Sequence, residues 1–135
     1  MKVLIIHGPN MNLLGSFSKD RLTLDKLNRS IRQFARSKNI EVKIFQTHDE
    51  AKYVTLLQRN RNKVDSFILN LGPWHSESYL IEATLSLIKL PYFIVEDKNQ
   101  LKKYINQSLF KNKYIIQNSD INQSYLEAME RLLNL

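Results

Sequence analysis

The sequence predicts an α/β domain, a doubly wound parallel sheet with helices on both faces, on two observations. Short apolar runs such as Val3-Leu4-Ile5-Ile6-His7 alternate along the whole chain with stretches of helical periodicity. That alternation is the pattern of βα units whose strands are buried on both sides. The 135 residues contain no repeat, low-complexity tract or linker, so positions 1–135 read as a single domain large enough to bury a sizeable core.

The elements follow in order. Strands are expected at about 2–7, 41–46, 66–71, 92–96 and 113–117. The first helix places Leu24, Leu27, Ile31 and Phe34 on one stripe, after Thr23 as N-cap. A second runs from about 50 to 61 with Val54 and Leu57 inward. A third starts near Ser76, with Glu77 in its first turn to suit the helix dipole. The last begins near Ser119 or Asp120 and buries Ile121, Tyr125, Met129 and Leu132. Residues 97–112 lack a clear stripe. Five βα units of this size predict a flavodoxin-like, three-layer αβα domain with a five-stranded sheet.

In such folds ligands bind beyond the carboxyl ends of the strands, near the switch point of the sheet. That rule selects four polar clusters, at 7–12, 47–50, 70–76 and 96–99. Capping and turn formation explain any one of them, whereas four at one edge favour a site. All three histidines, His7, His48 and His75, fall at that edge, with Asp49 nearby. Their spacing carries no metal-ligand signature, so hydrogen-bonded edge histidines are expected, with no metal and no other cofactor.

The formal charge of +7 favours anionic partners in general. The basic residues are scattered along the chain, through Arg36, Lys38, Lys43, the 59–63 segment, Lys102-Lys103 and Lys111 to Lys113. A nucleic-acid footprint needs clustering on one face, so a solvated basic surface is the expectation and a nucleic-acid partner is not. The chain has no cysteine, hence no disulfide, thiolate nucleophile or thiolate metal site. No apolar run reaches a membrane span, and the amino-terminal run is too short for a signal peptide. These features predict a soluble cytoplasmic protein.

The most informative stretch is Gly8-Pro9-Asn10-Met11-Asn12-Leu13-Leu14-Gly15, directly after the first strand. It closely resembles the signature of the type II dehydroquinases (3-dehydroquinate dehydratases) of the shikimate pathway. The resemblance continues through 45–50, where Glu50 matches the family's glutamate. It extends to Asp65-Ser66-Phe67-Ile68-Leu69-Asn70-Leu71-Gly72, similar to the family's Asp-Gly-Ile-Ile-Ile-Asn-Pro-Gly, and to Leu90-Pro91. It implies that Asn12 helps position an enolate-stabilising water. Asn10 and Asn70 then contact substrate, while His75 and Ser76 stand near a histidine displaced by one position. It also implies a trimer, or a dodecamer built of trimers, with Tyr104, Phe110 and Tyr114 either at an interface or in the core.

The departures fall on the chemistry. The family's lid carries an arginine and a tyrosine; here 15–23 is shorter and has no tyrosine. The family's acid-base glutamate and histidine fall on Ile94 and Glu96, its Ser-Asn on Lys98-Asn99, and a lid-bracing aspartate on Ala83. Anti elimination of water needs a base at the carbon alpha to the ketone, enolate stabilisation and an acid for the departing hydroxyl. Loss of one acid or base costs on the order of 100- to 10,000-fold. The stand-ins are Lys19 or Arg21 for the base and Glu96 for the acid or base, with Lys98 and Asn99 holding a carboxylate.

Three readings follow. The leading one is an inactive or impaired relative that keeps a small polar pocket for a carboxylated polyol. The second is an active hydro-lyase with a rearranged acid-base set. The third is a basic nucleotide- or RNA-binding protein.

Overall fold

The computed structural model describes residues 1–18, 21–97, 107–116, 118 and 120–135. Its centre is a parallel sheet of β1 (Lys2–His7), β2 (Glu41–Gln46), β3 (Ser66–Leu69), β4 (Tyr92–Val95) and β5 (Ile115–Ile116). The strand order is β2-β1-β3-β4-β5, with the switch between β1 and β3, the flavodoxin-like arrangement. β1 pairs with β2 from Lys2 opposite Glu41 to His7 opposite Gln46. It pairs with β3 from Val3 opposite Ser66 to Ile6 opposite Leu69. The central strands are buried from Val3 to His7, Ser66 to Leu69 and Phe93 to Val95 because helices cover both faces, which is why they carry apolar residues at consecutive positions.

Two apolar cores result. On one face Val3, Ile5, Ile68 and Val95 pack against α2 (Leu24–Ser37) and α6 (Ile121–Leu133). On the other, Leu4, Ile6, Phe67, Leu69 and Ile94 meet α3 (Glu50–Asn60) and α5 (Tyr79–Ile88). In α2, Leu27, Ile31 and Ala35 are buried, while Leu24 and Phe34 pack at the margin of the core. Thr23, Asp49 and Asp120 each accept a hydrogen bond from the backbone N–H three residues on, so all three act as N-caps.

The differences from expectation lie at element ends. A short helix α1 (Leu14–Phe17) follows the signature loop. The third expected helix is two: α4 (Trp74–Glu77), then α5 after Ser78, whose hydroxyl accepts from the Ile81 N–H at 3.0 Å. β3 ends at Leu69 instead of 71, because the N–H groups of Leu71 and Gly72 turn to a side chain of β4's end, not to a neighbouring strand. β5 starts at Ile115 instead of 113, behind a 3-10 turn over Asn112–Tyr114, and residue 117 of the expected strand lies outside the described residues. Among the described residues, no helix is long and apolar enough to cross a membrane.

Candidate active site

The carboxyl edge of the sheet carries two buried polar networks, one on each face. The first is centred on His7, the last residue of β1 and fully buried. Its Nδ1 lies 2.7 Å from the Tyr125 hydroxyl on α6, and its Nε2 lies 2.7 Å from Asn28 Oδ1 on α2. An amide oxygen only accepts, so Nε2 carries the proton and Nδ1 accepts from Tyr125. Burial pushes the imidazole down to about 4; the Asn28 bond opposes this in part and the Arg32 charge adds to it. The histidine is therefore neutral at neutral pH.

The second network begins at Asn70, just past β3. Its backbone N–H donates to Ile6 O and its backbone oxygen accepts from the Tyr53 hydroxyl at 2.9 Å. Its Oδ1 accepts from the Gly8 N–H at 3.1 Å, and its Nδ2 donates to Val95 O at 3.1 Å and to Glu96 Oε2 at 2.9 Å. One side chain thus ties the ends of β1, β3 and β4 together. The approach requires glycine at position 8, where a Cβ would stand 2.5 Å from Asn70 O.

Glu96, 3% exposed, completes this network. Its Oε1 accepts from the Leu71 N–H at 2.7 Å and the Gly72 N–H at 2.6 Å. Gly72 has φ +53°, a left-handed conformation that glycine adopts without strain. His75, buried on α4, brings Nε2 to 3.2 Å from the same Oε1, but that nitrogen makes no aligned hydrogen bond. The other face of the ring is held by residues 108–110. Nδ1 lies 3.1 Å from Ser108 Oγ, the Leu109 N–H donates to His75 O, and Phe110 meets the ring edge-on.

Above this network lies a cavity of about 300 Å³. Pro9, Asn10, Met11, Leu13 and Phe17 line one side, from the signature loop and α1. Asn70, Gly72 and Pro73 line the second, and Glu96 and Asp97 the third. The lining therefore mixes apolar walls with amide and carboxylate groups, the composition of a small-molecule site.

The structure brings Asn10, Asn70 and Glu96 of the sequence-selected residues to this cavity. Asn10 holds the left-handed conformation, φ 69°, that starts the 3-10 turn over Met11–Leu13. Asn12 lies on that turn, exposed and outside the cavity lining. His75 sits behind Glu96, not in the lining, and Ser76 turns its hydroxyl toward Pro73 O. Arg21 is exposed, away from the cavity lining, at φ 51°. Lys19, Lys98 and Asn99 lie outside the described residues, as does Tyr104. Phe110 is buried and Tyr114 stacks on Tyr92, ring centroids 4.5 Å apart.

His48 is exposed, whereas His7 and His75 belong to separate networks. Among the described residues, no three His, Asp or Glu groups stand where they would hold a metal. Sequence reasoning missed Tyr53, whose buried hydroxyl braces Asn70, and the apolar wall of Met11, Leu13 and Phe17. Tyr53 was recoverable from its place on the inward stripe of α3, one residue before Val54 and four before Leu57. Burial holds the Tyr53 and Tyr125 hydroxyls well above their usual range, so neither serves as a phenolate base.

Comparison with known proteins agrees with this architecture. Residues 1–132 match the family model for dehydroquinase class II. The chain is 30% identical over 144 aligned positions to a 3-dehydroquinate dehydratase of Geotalea daltonii, covering 99% of this chain and 97% of that one. It is 32% identical to the 3-dehydroquinate dehydratase of Thermotoga neapolitana, over 73% of this chain and 69% of that one. The crystal structure of the type II dehydroquinase from Butyrivibrio crossotus superposes with a TM-score of 0.87 at 25% identity, covering 98% and 97% of the two chains. On a family match that spans nearly every residue, and on a sheet order and switch point of the same kind, this chain belongs to the class II dehydroquinase family.

Proposed function

We propose that this chain keeps the family's cleft as a ligand site and has lost, or nearly lost, the dehydration of 3-dehydroquinate. One observation carries the reading. Glu96, at the position that the family resemblance gives to the acid, has both oxygens engaged by the N–H groups of Leu71, Gly72 and Asn70. Three N–H donors already occupy this side chain, two of them on Oε1, where a general acid needs a free O–H aimed at the leaving hydroxyl. The two fully buried tyrosines near the site are held neutral, which removes them as substitutes for the family's base.

The ligand is a small carboxylated polyol. Its hydroxyls face Glu96 and Asn10, its carbon skeleton lies on Met11, Leu13 and Phe17, and its own carboxylate points away from Glu96. The protein works in the cytoplasm, beside the shikimate pathway of its family, without a cofactor. Its oligomeric assembly follows the family's trimers.

The test is incubation of purified protein with 3-dehydroquinate while following enone absorbance, with Asn12→Ala alongside. No turnover above background, with a thermal shift from added quinate, is the expected result. Turnover that vanishes in Asn12→Ala establishes instead a hydro-lyase with a rearranged set, and Lys19, Arg21 and Glu96 become the residues to replace.

A further inference from the structure

The donors around Glu96 are more than one tethered side chain uses. Four reach one carboxylate at the end of β3: the successive N–H groups of Leu71 and Gly72 at 2.7 and 2.6 Å and His75 Nε2 at 3.2 Å on Oε1, and Asn70 Nδ2 at 2.9 Å on Oε2. The backbone and Asn70 donors make hydrogen bonds; His75 Nε2 is buried and makes none. The Glu96 oxygen itself explains why that nitrogen is a donor. A bare Nε2 lone pair would face the Glu96 oxygen at 3.2 Å, so the ring proton belongs on Nε2, and the Ser108 O–H then donates to Nδ1 while its Oγ accepts from the Phe110 N–H. Adjacent backbone N–H groups aimed at one point are the usual construction of an anion site.

We infer that this cluster is a carboxylate-binding site and that Glu96 is its internal occupant. Held by its own backbone, the Glu96 carboxylate satisfies three donors and leaves the fourth unmet; an untethered carboxylate is free to settle among all four. In the intact protein the site is filled, so a ligand's acid group is excluded from the deep end of the cavity, where a second carboxylate beside Glu96 is repelled. The residue that sets ligand orientation is then Glu96, which accepts from hydroxyl donors and turns acid groups toward the mouth. This orientation rests on the ligand reading above, whereas the occupied carboxylate site does not.

The experiment needs no 3-dehydroquinate, so its outcome is independent of the turnover assay. Glu96→Ala removes the occupant and leaves the donors. Its Tm is titrated with sodium acetate against sodium chloride of equal ionic strength and against acetamide. A rise on the order of 3 °C at saturating acetate is expected, absent with chloride or acetamide and absent in the unsubstituted protein. Equal rises with acetamide, or in the unsubstituted protein, overturn the inference, as does a folded variant indifferent to acetate. Should Glu96→Ala not fold in chloride, the amide proton shifts of Leu71 and Gly72 in the unsubstituted protein and in Glu96→Gln decide. Both are expected far downfield, moving upfield on substitution; unshifted amides overturn the inference.

Discussion

Two polar networks of similar size occupy the same edge of one sheet, and they use their titratable groups in opposite ways. On the α2 and α6 face, His7 is neutral, paired on both nitrogens, and outside the cavity lining. On the other face, Glu96 accepts from surrounding N–H groups on both oxygens and lines the cavity. The first network spends its polarity on joining β1 to two helices. The second joins three strand ends and still presents a carboxylate to the opening. A buried histidine is stable there by giving up its charge, and a buried glutamate by accepting hydrogen bonds from the backbone.

The comparison breaks most sharply at Gly8, which serves the second network alone. Gly8→Ala drives a Cβ to 2.5 Å from Asn70 O and is expected to cost about 3 kcal/mol, read by urea denaturation. A loss near zero would mean that the three strand ends are not locked together as described.

The first network is tested by pH. His7 is held at about 4, below its usual 6.5, so between those values the unfolded chain binds a proton that the folded chain does not. Stability should fall as pH drops through this window, by about 3 kcal/mol in all, and level off below it. Denaturation curves of the parent and His7→Gln, taken across the window, isolate the contribution. A slope unchanged in His7→Gln would assign the loss to other groups.

A third test sharpens the contrast of charge. Glu96→Gln preserves shape but replaces one acceptor oxygen by a donor, which must face either the Leu71 and Gly72 N–H groups or Asn70 Nδ2. It should cost about 2 kcal/mol. A neutral outcome would show that the site does not require an anion.

The smallest expected effect lies at the half-buried margin of the first network. Asn28→Ala removes the acceptor from His7 Nε2, where water has partial access, at about 1 kcal/mol. Because that bond raises the His7 pKa, its loss should push the imidazole lower still, which NMR titration of the ring follows.

Much of this architecture is legible in the sequence, and the reasons are local. The run Val3 to Ile6 announces a doubly covered strand, and Leu27 and Ile31 announce the inward stripe of α2, because burial on these faces follows the periods of strand and helix. Thr23 declares a helix start by the chemistry of its own side chain. Ser78 was harder to read, since the split of α4 from α5 depends on where Trp74 and His75 pack. The edge clusters at 7–12, 70–76 and 96–99 were visible from strand ends alone, and Asn10, Asn70 and Glu96 do meet at the cavity.

What each of those residues does there depended on partners far along the chain. Asn70 spends both amide protons on Val95 and Glu96, twenty-five and twenty-six positions away. His7 is tied to Tyr125 across 118 positions. By itself the sequence determined the strands, the helices and the edge at which polar residues gather, since hydrophobic period and capping chemistry act over a few residues. Tertiary structure alone decided that one histidine is neutral, that one glutamate is enclosed by N–H donors, and that Asn12 stands outside the cavity lining. Protonation and hydrogen-bond partnership are set by burial and by groups that only the folded chain brings within 3 Å.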